Sequence, residues 1–258
     1  MRYRLFSLVA VFVSALLFSS EALAQAQFNP RDFTGIWLIR GGNTSIGPNP
    51  PALTPAGTKA MEGRIPESSV RVPGLSNDPI RQCNPNGFPR LLFDAEPVEF
   101  VHLNDRVMQF FQWERQLREI WVDGRPLPSG EHLENLGPAW YGHSVGVWEG
   151  DTFVVNTVGL NEMAWLDENR GRPKSFHARI EERYRRIEPD VIEVQFTLYD
   201  PEYYTATWVG DKKQFRRMAP DTYTYFGWKG LFGGITDAIC APVNEVEDYN
   251  KRFRDKSE

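Results

Sequence analysis

Between residues 98 and 218 apolar and polar positions alternate with a period of two, interrupted at short intervals by Gly, Pro, Asn and Asp. That is the pattern of half-buried strands joined by tight turns. It is clearest where Ile192, Val194, Phe196 and Leu198 stand against Glu193, Gln195 and Thr197, giving one dry face and one wet face. Strand-type runs recur at Val98 to Leu103, Val107 to Glu114, Leu117 to Asp123, His143 to Trp148, Thr152 to Val158, His177 to Ile187, Val191 to Tyr199, Tyr203 to Gly210 and, weakly, Gln214 to Met218; one more precedes them at Phe33 to Ile39. Asn104-Asp105, Asp123-Gly124, Glu149-Gly150-Asp151, Glu188-Pro189-Asp190 and Asp200-Pro201 supply hairpin chemistry between them. Nine or ten such strands predict an all-β fold, an antiparallel meander closing into a β-barrel or a curled sheet.

Ten of the 19 prolines fall between Pro48 and Pro97, where periodic apolar runs are scarce. Residues 41–97 therefore read as a long irregular arm, with a helical turn or two near Pro55 to Gly63. A structureless segment of that length is rare in a compact domain unless it covers something. Residues 98–218 form the meander and 219–258 a C-terminal tail, so 25–258 reads as one domain.

Residues 1–24 carry Arg2 and Arg4, an apolar stretch from Leu8 to Phe18 and a small-x-small end at Ala22-Leu23-Ala24, the pattern of a cleaved signal peptide. The apolar stretch is about half the ~20 residues that a bilayer core requires. The expected location is the periplasm or outside the cell, with no membrane span after cleavage. Cys83 and Cys240, the two cysteines, then read as a single disulfide, with two buried thiols as the alternative. The net charge of −5, with no basic stripe, argues against nucleic acid as a partner.

Gly142-His143-Ser144-Val145-Gly146 spells the G-x-S-x-G of a serine hydrolase, with Asp167 and His177 following in order. That elbow needs a helix after the serine, whereas a turn and the strand Thr152 to Val158 follow here. A short polar strand start is the better reading of Ser144. His143 shares its strand face with Val145 and Val147, which makes it either an acid or base inside the barrel or a rim histidine bonded to backbone. Glu182 interrupts the row Ala178, Ile180, Tyr184; it is either a raised carboxylate or the partner of a buried arginine such as Arg118. Asn156 breaks the face of Val154 and Val158, and Asp167, beside Trp165, sits in a loop that could cap a barrel mouth. The four histidines, His102, His132, His143 and His177, form no H-x-H or H-E-x-x-H pair, so no metal is expected. No dinucleotide fingerprint or phosphate loop is present, and no cofactor is expected.

The stretch Trp140-Tyr141-Gly142-His143-Ser144-Val145-Gly146-Val147-Trp148-Glu149-Gly150-Asp151-Thr152 resembles a large group of exported bacterial proteins without an established activity. The likeness extends to Phe33-Thr34-Gly35-Ile36-Trp37, Cys83-Asn84-Pro85, Trp165-Leu166-Asp167, Glu182-Arg183-Tyr184-Arg185-Arg186 and Cys240. Lys174 departs from it, standing where such proteins often carry His between Pro and Ser. Gly35-Ile36-Trp37 is also similar to the G-x-W of lipocalins, which implies a calycin-like barrel with room for a ligand.

These readings converge on an exported barrel that takes an apolar or aromatic small molecule. His143, Glu182 and Asp167 are the candidates for cofactor-free acid/base chemistry such as elimination, isomerisation or hydration. Tyr141, Trp148, Asn156, Trp165, Tyr184 and Arg118 are the candidate contacts. A ligand carrier without chemistry, a serine hydrolase using Ser144 and a structural envelope protein are the alternatives, and the oligomeric state is open.

Overall fold

The computed structural model describes residues 28–40, 44–71, 75–93, 96–218, 240–241 and 243–254. The signal-like residues 1–24 and most of the C-terminal tail lie outside the described residues. Nine strands close a barrel in sequence order: β1 (Gly35–Arg40), β2 (Val98–His102), β3 (Arg106–Phe111), β4 (Leu117–Trp121), β5 (His143–Glu149), β6 (Thr152–Val158), β7 (Arg179–Glu188), β8 (Val191–Tyr199) and β9 (Trp208–Arg217). Closure comes from the antiparallel pairing of β1 with β9, Trp37 opposite Arg217. The all-β barrel expected from the alternation is the fold observed, and it is consistent with the calycin-like barrel that the G-x-W resemblance implies.

Two departures have physical causes. The expected runs Tyr203 to Gly210 and Gln214 to Met218 are one strand, β9, which starts only at Trp208 because Asp200 closes a turn through its carbonyl and the Tyr204 amide, 2.8 Å. Asp123-Gly124 is not a hairpin: β4 and β5 pair in parallel, and parallel neighbours require a crossover. Residues 122–142 supply it and carry a helix, α2 (Gly130–Leu136), that the strand pattern did not suggest.

The barrel interior is filled. Trp37, Phe100, Phe153, Tyr184, Phe196 and Phe215 are fully buried or nearly so, and Phe33 plugs one end against Phe100, Trp148 and Phe153. The proline-rich arm plugs further space. The one α-helix among the arm's described residues, α1 (Pro55–Met61), starts where expected, with Pro55 at the first position and the Thr54 hydroxyl accepting from the Gly57 amide. Further along, Phe88, Leu91, Leu92 and Phe93 are buried, Phe93 meets Phe196 edge-on, and the Phe88 ring lies 3.8 Å from the Arg118 guanidinium carbon. Cys83 and Cys240 lie at disulfide distance, with their Cα atoms 5.6 Å apart. That pair ties the arm to the C-terminal segment across 157 residues.

A cleft at the β4–β5 seam

Inward positions on five strands carry polar groups that meet at one level. Arg118 (β4) donates to both carboxylate oxygens of Glu182 (β7), Nη1 to Oε2 at 2.9 Å and Nη2 to Oε1 at 2.6 Å. It also donates to Gln109 of β3 at 3.0 Å, Ser144 of β5 at 3.0 Å and Thr157 of β6 at 2.8 Å. The Tyr184 hydroxyl donates to Glu182 Oε2 at 2.5 Å. Burial, reinforced by the Glu182 charge, holds that phenol far above its usual pKa, so it remains a donor. All six side chains are buried. Glu182 is therefore the partner of Arg118, one of the two readings its place in the sequence allowed, and its carboxylate is saturated by donors.

Outside this network the barrel wall is incomplete. β4 and β5 share only two paired positions, Ile120 with Ser144 and Trp121 with Val145. Below them the start of β4 and the chain at Ala139 to Gly142 separate. The gap opens into a cleft of about 560 Å³. Its walls include Leu117, Trp121, Leu136, Trp140, Tyr141 and Val145, and its polar lining includes Arg118, His132, His143 and Ser144. Trp121 is contacted by Arg106 and Arg125, whose guanidinium carbons lie 4.6 and 3.6 Å from its ring centroid. Arg125 is in turn neutralised by Asp123 at 2.6 Å. Two of the cleft's cations are thus already paired, and most of the remaining surface is apolar.

His143 lines this outer cleft and not the interior. On β5 the inward residues are Ser144 and Gly146, because Phe153 and Ile120 fill the space over position 146: a Cβ there would come within 2.4 Å of the Phe153 ring. Val145 and Val147 share the outer face with His143, and Val147 is half exposed. The imidazole Nε2 donates to the Gly137 carbonyl at 3.0 Å. His143 is a rim histidine bonded to backbone, so it and Glu182 stand on opposite faces of the wall.

The other sequence candidates divide clearly. Tyr184 and Arg118 belong to the interior network and Tyr141 to the cleft. Trp148 packs on Phe33 and Phe153 at one end of the barrel. Asn156 points outward and accepts from Arg179. Asp167 is buried, but its oxygens are taken by the Arg170 amide at 2.6 Å and by Arg172 at 2.9 Å, a loop-forming arrangement away from the cleft. Trp165 is likewise buried in that loop, beneath Arg64. His177 is 61% exposed beside Glu134, and the Ser144 hydroxyl is bonded to Arg118 and Thr157, so neither has the geometry of a hydrolase triad. Among the described residues no group of three or more His, Cys, Asp or Glu could hold a metal ion, and no helix is long and apolar enough to cross a membrane.

Sequence reasoning missed Leu117, Trp121, His132, Leu136 and Trp140 as cleft walls. Trp140 stood inside the recognised motif, but its role depends on the parallel register of β4 and β5, which no local pattern carries. Compared with known proteins, the chain matches no family model and no curated protein.

Proposed function

We propose that the protein binds a small apolar or aromatic molecule in the β4–β5 seam cleft and does no chemistry on it. The observation that carries this reading is the cleft itself: its volume lies within the 300–1,000 Å³ usual for small-molecule sites, and aromatic walls enclose a few polar groups. The filled interior supports placing the ligand outside the barrel, and the separation of His143 from Glu182 supports binding over acid/base turnover. The leader-like residues 1–24, the cysteine pair and the resemblance to exported bacterial proteins support a periplasmic or extracellular carrier.

The test is a fluorescence titration with N-phenyl-1-naphthylamine. Micromolar binding to the wild type, weakened at least tenfold in Trp140→Ala and Trp121→Ala, is expected. Equal affinity in all three proteins, or consumption of the probe with product formed, would refute the reading.

A further inference from the structure

The way His143 is held fixes which of its nitrogens a ligand would meet. A carbonyl oxygen only accepts, so the contact with Gly137 requires the proton on Nε2. In the neutral ring Nδ1 is then the acceptor. The Cδ2–Nε2 edge is pressed against Gly159, where a Cβ would stand 2.7 Å from Cδ2 and 3.3 Å from Nε2; glycine at 159, with φ of +68°, is what lets the ring seat there. The Nδ1–Cε1 edge is opposite, on a residue that lines the cleft. No hydrogen bond to Nδ1 occurs among the described residues.

We infer that the cleft selects an aromatic molecule bearing a hydroxyl, a phenol-type ligand whose O–H donates to His143 Nδ1 while its ring packs against Trp121 and Trp140. This rests on the reading of the cleft as a small-molecule site. Arg118 and Arg125 are each matched by a carboxylate, Glu182 and Asp123, so a neutral donor suits the cleft better than a carboxylate ligand, which would meet an acceptor at Nδ1. An aryl hydroxyl left without a partner in an apolar cleft would instead lose its hydration, which makes the acceptor decisive for selectivity.

The experiment compares 2-naphthol with 2-methoxynaphthalene, which share the ring system but differ in the donor. Affinities are measured calorimetrically for the wild type, His143→Phe and Trp140→Ala. The wild type should prefer 2-naphthol by about tenfold, the equivalent of one hydrogen bond of ordinary strength. His143→Phe should lose that preference while keeping its affinity for 2-methoxynaphthalene within about threefold. A wild type that binds both probes equally, or a preference that survives in His143→Phe, overturns the inference and leaves the cleft reading intact. Failure of both probes to bind, or full affinity of both for Trp140→Ala, overturns the cleft reading itself. Nitrogen-detected NMR of the wild-type imidazole needs no variant: the Nε2–H tautomer, with Nδ1 shifting when 2-naphthol is added, is expected, and an Nδ1–H tautomer contradicts the inference.

Discussion

Replacing Glu182 by Leu should be among the most damaging single changes in the barrel. The carboxylate accepts two hydrogen bonds from Arg118, at 2.9 and 2.6 Å, and one from Tyr184, at 2.5 Å, at a fully buried position. Leucine fills a similar volume, so little of the loss comes from a cavity. The cost arises because Arg118 keeps its charge in the interior with only Gln109, Ser144 and Thr157 as acceptors. Removing one member of a buried pair costs about 3–5 kcal/mol. At roughly 2–4 °C per kcal/mol for a domain of this size, Tm should fall by about 6–20 °C. The double variant Arg118→Met/Glu182→Leu buries neither charge and leaves the Ser144–Thr157 bond of 2.9 Å in place. It should recover at least about 2 kcal/mol relative to the sum of the single changes. Urea unfolding followed by tryptophan fluorescence measures all four proteins. A cost below about 1 kcal/mol for Glu182→Leu, or simple additivity in the double variant, would refute the description of the pair as mutually dependent.

Three further outcomes follow from buried groups and from the cysteine pair. Burial raises the phenols of Tyr184 and Tyr204 above the usual value near 10. Below pH 10 both states keep the proton, and above it the unfolded chain releases it first, so stability should fall beyond pH ~10 by up to about 1.4 kcal/mol per pH unit for each. Absorbance at 295 nm should show these phenols ionising together with unfolding, and ionisation of every tyrosine in a folded chain would contradict this. Lys174, buried completely with its ammonium donating to the Ala164 carbonyl, is lowered to about 7, chiefly by burial and then by Arg64 and Arg90. Its folded pKa lies below the unfolded value near 10.4, so wild-type stability should rise from pH 7 towards pH 9.5. Lys174→Met should flatten that rise in a series of urea titrations, and an unchanged slope would refute the assignment. Finally, Cys240→Ser should lower stability by up to about 5 kcal/mol, the loop-entropy value for a 157-residue closure, with one free thiol titrating at Cys83; two free thiols in the denatured, unreduced wild type would exclude the bridge.

The strands were legible because their alternation follows from packing. β6 and β8 have the bounds expected from the pattern, since Phe153 and Val155 on one strand and Ile192, Val194, Phe196 and Leu198 on the other all enter the core. The polar break on an inward face was visible at Glu182, and the suggestion that a buried arginine such as Arg118 partners it holds. What failed was parity on β5. Val145 and Val147 look like a core face, yet the interior at that level is taken by Phe153, Ile120 and Arg118, so the inward places go to the small residues Ser144 and Gly146. That choice sends His143 outward. The cleft was illegible for a different reason: its two sides, Leu117 to Trp121 and Ala139 to Val145, are joined by a crossover whose parallel register is a property of the closed barrel and not of either segment.

The most direct measurement is NMR of the tryptophan indole N–H groups while N-phenyl-1-naphthylamine is added to the protein. Of the eight tryptophans, four report on the two sides of the wall. Trp121 and Trp140 line the seam cleft, whereas Trp37 and Trp208 are buried in the core. Binding in the cleft should move the resonances of Trp121 and Trp140 along a saturable curve and leave those of Trp37 and Trp208 in place. Saturable shifts at Trp37 and Trp208 with Trp121 and Trp140 unmoved would locate the ligand in the interior and contradict the account.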